Sequence, residues 1–210
     1  MHAATVRTLQ ERIEQMQPLR LGDAAIPVHP HLRPLLPGGG LRRGSTVVVS
    51  GSLRLALALM AHASASGAWC GAIGVPEVGV EAAAALGIAL ERFVLVPRPG
   101  AHTISITGTL SEVLTIMLVR PPRQMRPGEA ERVAARVRDH GGAVIALDAW
   151  PRADSTLRVA TVRRRGLGEG HGLLETTELT VHTEDRRGPR RHRVAFRAGQ
   201  LVADTPTERA

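Results

Sequence analysis

The sequence predicts an α/β fold built on a mostly parallel sheet flanked by helices, and three observations support this prediction. Short, continuous apolar runs rich in Val, Ile and Leu alternate with helical segments along the middle of the chain. Such runs are typical of strands that are buried on both faces of a parallel sheet. After Pro151 the pattern changes to strict alternation, which predicts an antiparallel meander attached to that sheet. The 210 residues are enough for one sizeable domain.

The predicted elements follow one another with glycine and proline between them, as expected for segments that end in turns. The apolar strands are predicted at 45–50, 68–75, 93–96, 114–119 and 142–147, and the helices at 53–66, 80–89, 105–112 and 128–139. The meander strands are predicted at 156–164, 178–183 and 192–196. In the first of these, Leu157, Val159 and Thr161 are assigned to one face by simple alternation.

The chain divides into four predicted parts: a helical segment at 1–17, a linker at 18–40, the main domain at 41–201 and a polar tail at 202–210. The linker is predicted from five prolines followed by three glycines, and the meander occupies 151–201 of the domain. The amphipathic N-terminal helix carries one narrow apolar stripe, formed by Val6, Leu9, Ile13 and Met16. The stripe could dock onto another chain or pack on its own domain, and we take it as the candidate partner-binding surface.

The basic residues are all arginine, because the sequence contains no lysine. A phosphate-loop lysine and a Schiff-base lysine are therefore excluded at every position. The net charge of +8 fits an acidic partner such as DNA, although a generally basic surface would also explain it. Arginines concentrate in the meander, and the candidate DNA-binding residues are Arg163, Arg164, Arg165, Arg186, Arg187, Arg190, Arg191 and Arg193.

Cysteine content and hydropathy exclude other classes. Cys70 is the one cysteine, so neither an internal disulfide nor a cysteine-based zinc site can form, and we expect a buried small hydrophobe. The sequence has no signal-peptide pattern and no apolar stretch of the roughly 18 residues that a membrane span needs. We expect a cytoplasmic protein without a membrane partner, a bound metal or a cofactor.

A glycine-rich approach, a strand, a tight turn and a helix succeed one another over 38–57, which is the layout of a phosphate-binding loop. The working loop has the pattern G-x-x-x-x-G-K-[ST], and here only Ser50, Gly51 and Ser52 stand between the strand and the helix. The glycines, the lysine and the hydroxyl that hold phosphates and Mg²⁺ are missing. These three residues are therefore predicted to be a vestigial loop that binds no nucleotide.

Other catalytic groups are also missing or isolated. Arg120 follows the fourth strand, where a carboxylate would hold Mg²⁺. Glu77 and Asp148 each follow a strand, and Glu77 is placed where a water-activating carboxylate could lie. The turn after Ser50 does not complete the G-x-S-x-G pattern of a nucleophile elbow. The sequence therefore predicts a protein that is not an enzyme.

The order of these segments resembles the core of the RecA recombinase family. The resemblance rests on LRRGSTVVVSG at 41–51, GAWCGAI at 67–73, Glu77, Leu86-Gly87-Ile88 and FVLV at 93–96, and it covers roughly 36–150. It implies a RecA-like fold, with Glu77 at the position of a catalytic Glu. The missing lysine and Arg120 depart from the family at the residues that carry its chemistry.

The whole chain is also similar to ImuA-type proteins, in particular the actinobacterial ImuA′ branch, in its length, N-terminal helix, degenerate loop and Arg-rich TVRRRGLG segment at 161–168. The resemblance implies an accessory factor of SOS-induced mutagenic translesion DNA synthesis, acting on the nucleoid during DNA damage. Its partner would be an ImuB-type, Y-family-like polymerase protein, and through it an error-prone replicative-type DNA polymerase. Three alternatives stay open: a SulA-like cell-division inhibitor, a DNA-binding RecA-like module and a residual ATPase using Glu77.

Overall fold

The computed structural model describes residues 25–126, 128–165 and 176–203. Its strands, in chain order, are β1 (Ala25–Pro27), β2 (Gly40–Arg42), β3 (Thr46–Ser50), β4 (Cys70–Ile73), β5 (Phe93–Val96), β6 (Ile116–Val119), β7 (Ala143–Leu147), β8 (Ser155–Arg165), β9 (Thr176–Asp185), β10 (Gly188–Arg197) and β11 (Gln200–Val202). The α-helices are α1 (Leu53–Ala65), α2 (Val80–Ala85), α3 (Thr103–Leu110) and α4 (Glu129–Asp139). Short 3-10 helices span Pro30–Leu35, Pro37–Gly39, Leu90–Arg92 and Gly100–His102.

The main sheet has nine strands in the order β11-β10-β9-β8-β3-β7-β6-β4-β5. The strands from β8 to β5 in this order run parallel, and β8, β9, β10 and β11 pair antiparallel. The strand β8 belongs to both parts, because it pairs parallel with β3 and antiparallel with β9. The predicted fold class, a mostly parallel sheet with a C-terminal antiparallel meander, is therefore confirmed.

Two layers of buried side chains cover the faces of this sheet. On one face, α1 packs over alternate residues of β3 and β7, together with Leu157 and Phe196 of the meander. On the other face, Val133 and Val137 of α4 pack over Val48 and its neighbours in β6 and β7. Apolar residues stand at successive positions in β6 and β7 because both faces of these strands are buried.

The observed elements agree with the predicted ones except at their ends and at three short strands. The helix α2 ends at Ala85 instead of 89, because Gly87 adopts a positive φ of 96° that terminates the helical turn. The short strands β1, β2 and β11 lack the length that a sequence pattern needs, and none of them was predicted. The predicted N-terminal helix with its stripe and most of the predicted polar tail lie outside the described residues.

Residues 25–40 do not form the predicted linker. The strand β1 pairs antiparallel with β2, with Ile26 opposite Leu41, and the intervening chain forms the first two 3-10 helices. Ile26, Val28 and Leu32 are fully buried in the same cluster as α1. Proline and glycine shape this segment into tight turns, while its apolar side chains fix it to the domain.

Candidate functional site

The connection between β3 and α1 consists of two residues, Gly51 and Ser52. The Ser52 hydroxyl accepts a hydrogen bond from the Leu55 backbone N–H at 3.1 Å and so caps the first turn of α1. The Ser50 hydroxyl donates to the Asp148 backbone carbonyl at 3.3 Å. Both hydroxyls of the vestigial loop are thus engaged within the protein, and the connection is too short to surround a phosphate group.

Gly51 brings this connection against the meander. Its φ of 83° lies in the left-handed region, and a Cβ atom at this position would lie 3.1 Å from the Val159 carbonyl oxygen. The glycine therefore allows a close approach to β8. In a phosphate-binding loop, glycine instead permits the backbone to approach the nucleotide.

Glu77 and Arg120 form the principal ion pair at this edge of the sheet. Glu77 follows β4, Arg120 follows the neighbouring strand β6, and the Arg120 backbone N–H donates to the Ile73 carbonyl at 3.0 Å. The Arg120 Nη1 atom donates to both carboxylate oxygens of Glu77, each at 2.7 Å. This hydrogen bond from Arg120 is the main cause that holds the pKa of Glu77 below its ordinary value of 4.5.

The pair also changes what this edge can bind. At the two positions where the RecA resemblance implies a catalytic Glu and a metal-binding Asp, the structure has a carboxylate bound to a guanidinium. A divalent cation here would meet the positive charge of Arg120, and a water molecule would meet a carboxylate already engaged. Glu77 is thus engaged in an ion pair at the protein surface, where 56% of its side chain is exposed to solvent.

An apolar groove of about 290 Å³ lies beside the loop, between α1 and α2. It is lined by Leu53, Leu57, Ala82, Ala85, Leu86 and, at its rim, Glu77 and Arg54. The Arg54 guanidinium carbon lies 5.6 Å from the centroid of the Phe196 ring, within the range of a cation–π contact. Arg54 is the basic residue closest in sequence to the position of the lysine in a phosphate-binding loop, and its guanidinium group is directed toward the meander.

Among the described residues, no group of three or more His, Cys, Asp or Glu side chains is placed to hold a metal ion. The one cysteine, Cys70, is fully buried in β4, and burial raises the pKa of its thiol to about 12. Within the same part of the chain, no helix has the length and apolar character needed to cross a membrane.

A basic face covers one side of the meander. Cross-strand pairing places Arg158, His182 and Arg191 in one row across β8, β9 and β10, and Thr161, Thr180 and Arg193 in the next. A third row contains Arg163 and Glu178. We call the face formed by Arg158, Arg163, His182, Arg191 and Arg193 the basic face, and all five side chains are exposed.

A register shift in β8 builds this face. Between Val159 and Thr161 the pairing with β9 skips one residue, as in a β-bulge. Without that extra residue, Arg158 and Arg163 would point to opposite sides, because side chains alternate along a strand. The assignment of Thr161 to the face of Leu157 and Val159 is therefore wrong. Arg158 and His182 are members of the face that were absent from the candidate set.

The structure brings together only part of the predicted arginine set. Arg163, Arg191 and Arg193 lie on the basic face, whereas Arg164 alternates to the opposite side. Arg186 is exposed in the β9–β10 turn, and the side chain of Arg165 is outside the described residues.

Two further arginines of the set stabilise the hairpin between β9 and β10. The carboxylate of Asp185, whose side chain is 2% exposed, accepts hydrogen bonds from Arg187 Nη2 at 2.9 Å and Arg190 Nη2 at 2.7 Å. The hydrogen bond from Arg187 is the main cause that lowers the pKa of Asp185 from 3.8. The sequence signal was available, because Asp185 lies within five residues of both arginines.

Large apolar side chains are exposed at the amino ends of the parallel strands, opposite the ends that Glu77 and Arg120 follow. Trp69, Leu90 and Val113 precede the adjacent strands β4, β5 and β6, and they are 48%, 43% and 68% exposed. The Trp69 carbonyl accepts a hydrogen bond from the Thr115 N–H at 2.8 Å, which ties the first and third of these segments together. Exposed apolar side chains at one end of neighbouring strands are a candidate interaction surface. We call this group the apolar edge.

The order of the strands and the position of α1 after β3 define the class of fold. The chain is similar to the crystal structure of the RadB recombinase, with a TM-score of 0.57 and 16% identity, over 82% of this chain and 97% of that one. The protein therefore has a RecA-like fold.

The family is defined by a sequence match. Residues 34–152, more than half of the chain, match the model of the MT3502 N-terminal domain, so the chain belongs to that family. It is also 28% identical over 131 residues to the uncharacterized protein Rv3395c of Mycobacterium tuberculosis. The match covers 61% of this chain and 64% of the relative, so the chain spans less than two thirds of that protein's length. These similarities fit an ImuA-type RecA-like protein in general.

Proposed function

We propose that this protein is a non-catalytic accessory factor of SOS-induced mutagenic translesion DNA synthesis, of the ImuA′ type. In this role it binds an ImuB-type, Y-family-like protein and, through that partner, supports an error-prone DNA polymerase. The RecA-like domain acts as an adaptor that presents binding surfaces and turns over no nucleotide.

One observation carries the non-catalytic part of the proposal: at the end of the sheet where a RecA-like enzyme would bind nucleotide, the polar side chains are bonded to other groups of the protein. The two-residue connection has its Ser52 hydroxyl engaged in helix capping, and Glu77 is bound by Arg120. Phosphoryl transfer requires a cation and a positioned water molecule at these places. Because the protein's own groups occupy both positions, we do not expect phosphoryl transfer. The domain is then left with a role in binding other molecules.

Nucleotide binding is the direct test of this part. Isothermal titration with ATP and Mg²⁺ at millimolar nucleotide should give no heat of binding, and no phosphate should be released. The variant Arg120→Asp separates the ion pair from the short connection as the cause of inactivity, because it frees Glu77 and restores a carboxylate for Mg²⁺. It should also remain inactive, since the connection after β3 stays too short. ATP binding by the unmodified protein would overturn the adaptor proposal.

The partner-binding part rests on the resemblance and on two surfaces. The predicted stripe of Val6, Leu9, Ile13 and Met16 supplies an amphipathic segment for a helix-in-groove contact. The apolar edge is the second candidate surface, because a partner that covered Trp69, Leu90 and Val113 would remove their exposed apolar area from water.

Co-purification with an ImuB-type protein tests this part. The variant Leu9→Asp/Ile13→Asp should lose at least about tenfold in affinity, since each substitution places a charge in an apolar contact. The matched control Arg7→Ala/Arg12→Ala changes the opposite face of the predicted helix and should bind normally. Equal binding by all three proteins would exclude the stripe as the partner-binding surface.

A cellular measurement tests the pathway. Deleting the gene should lower the frequency of damage-induced mutation, and the stripe variant should not restore it. Filamentation on overexpression, with unchanged mutation frequency, would instead favour the SulA-like alternative.

A further inference from the structure

We infer that the basic face of the meander binds the phosphate backbone of DNA without regard to sequence. This inference goes beyond the adaptor role, which requires no contact with DNA. It also assigns the binding to a set of residues that differs from the run of arginines visible in the sequence.

The face has the side chains that phosphate recognition requires. Arg158 and Arg191 flank His182 in one row, and Arg193 lies two residues further along β10 on the same side. Neighbouring strands are about 4.8 Å apart and alternate residues about 6.7 Å apart, so the backbone positions that carry these arginines are regularly spaced over the face. Arginine is suited to phosphate because its planar group donates two parallel hydrogen bonds.

The shape of the face adds neutral donors to these charges. A small depression of about 90 Å³ is lined by Thr161, Arg163, Glu178, Thr180, Arg191 and Arg193. Threonine hydroxyls in such a position can donate to phosphate oxygens beside the arginines. Carboxylates limit the net charge at both ends of the face, Glu178 at one end and the exposed Glu184, two residues from His182 on β9, at the other. The strongest positive field therefore lies between them, over the rows of Arg158 and Arg193.

The position of the face leaves it accessible. Thr156 and Arg158 are paired with Val48 and Ser50 of β3, so the face continues the side of the sheet that α4 covers further along. Over β8 to β10, the exposed side chains of Arg158, Arg191 and Arg193 show that no described element covers this side.

The composition of the face predicts how DNA is bound. Among the paired residues of its three rows, His182 alone carries an aromatic ring, and no Phe, Tyr or Trp side chain forms a platform on which bases could stack. Contacts restricted to phosphates carry no sequence information and make binding depend steeply on salt. Four arginine contacts give a slope of log K against log salt of about −3.6 on duplex DNA, a loss of about 150-fold between about 50 and 200 mM salt.

The test measures this slope by fluorescence anisotropy of a labelled random-sequence duplex, with the full chain. The unmodified protein should give a slope of about −3.6, and Arg191→Ala should reduce it by about 1. The variant Arg158→Ala/Arg193→Ala should reduce it by about 2. A second duplex of unrelated sequence should bind within about twofold of the first.

Matched controls remove the same charge elsewhere. Arg98→Ala and Arg132→Ala change exposed arginines away from the meander, and they should leave the slope unchanged. Equal effects of these controls and of Arg191→Ala would overturn the inference, because general positive charge would then explain binding. Binding to polyglutamate of matched charge without binding to DNA would also overturn it, in favour of an acidic protein.

Each arm also includes a measurement of folding. Circular dichroism and the urea midpoint should be unchanged in Arg191→Ala, since its side chain is exposed. Binding to the ImuB-type partner should also be unchanged in this variant, so a failure of DNA binding leaves the adaptor proposal standing, and the reverse also holds.

Discussion

Gly51, in the connection between β3 and α1, packs closely against β8. The substitution Gly51→Ala should destabilise the protein, because the new Cβ atom would be forced against the Val159 carbonyl oxygen at 3.1 Å in addition to adopting a positive φ. The control Gly188→Ala has a similar φ of 87° and no atom within 4 Å of the added Cβ. We expect Gly51→Ala to cost about 1–3 kcal/mol more than the control in urea unfolding. Equal costs would mean that only backbone strain matters at Gly51.

His192 is a second residue whose environment has a measurable consequence. Burial, followed by the charges of Arg190 and Arg187, lowers the pKa of its imidazole from 6.5. The folded state then binds fewer protons than the unfolded state at pH values below about 6.5, so acid destabilises the protein in that range. Well above pH 6.5, from about pH 8, both states carry a neutral imidazole, and this residue contributes no pH dependence.

The substitution His192→Val isolates this effect. Among the described residues the His192 Nε2 atom is buried without a hydrogen-bond partner, and the residue pairs with Val181 across the strands. The variant should be more stable by about 1 kcal/mol at pH 8, and its free energy of unfolding should fall less between pH 7 and pH 5. Denaturant melts at several pH values give both quantities, and parallel curves for the two proteins would contradict the assignment.

At the scale of elements, the segment 25–42 shows where composition misleads. Its prolines and glycines predicted a linker, yet Leu32, Leu35 and Leu36 stand at helical spacing and are buried. The spacing of these leucines indicates a packed helical turn, but the prolines and glycines between them led to the prediction of a linker. Proline fixes φ and is compatible with short 3-10 turns, so a proline-rich segment can pack as tightly as a regular element.

The substitution Leu32→Ala tests whether this segment belongs to the core. Its side chain is fully buried, so we expect a loss of about 2–5 kcal/mol in the free energy of unfolding. The control Arg33→Ala changes an exposed neighbour in the same 3-10 helix and should cost less than about 0.5 kcal/mol. A linker would give small and equal effects for both, which urea unfolding would reveal.

In the meander, the sequence predicted the strands but not the register in which they pair. Its strands were visible in the sequence because one face is buried and the other is not. The shift between Val159 and Thr161 was not visible, because register depends on which residues of β9 pair with β8. The candidate site depends on that shift, so the sequence predicted a basic meander but could not assign the arginines to faces. The bonds between Asp185 and two of these arginines are local and could have been predicted from spacing alone.

At the scale of the whole molecule, the meander and the parallel sheet form one structure. The strand β8 covers the edge of β3, and Leu157, Leu179 and Phe196 belong to the buried cluster that contains Leu55. The parallel strands were predicted from their continuous apolar runs, but the placement of β8 beside β3 is a long-range contact that no local pattern encodes. Folding of the two parts should therefore be cooperative.

Removing residues 152–210 tests this cooperativity. The deletion would leave the β3 edge unpaired and expose the apolar side of α1, so we expect aggregation or a dye-binding, partly folded state. Deletion of 1–17 keeps every described element and should leave the urea midpoint unchanged. Circular dichroism, gel filtration and dye fluorescence distinguish these results, and a soluble, cooperatively unfolding 1–151 fragment would contradict the prediction. Loss of the meander would abolish folding and binding together, so the deletion cannot measure its contribution to DNA or partner binding. That contribution has to be measured with substitutions on the basic face, because the exposed arginines can be changed there while the buried cluster is kept.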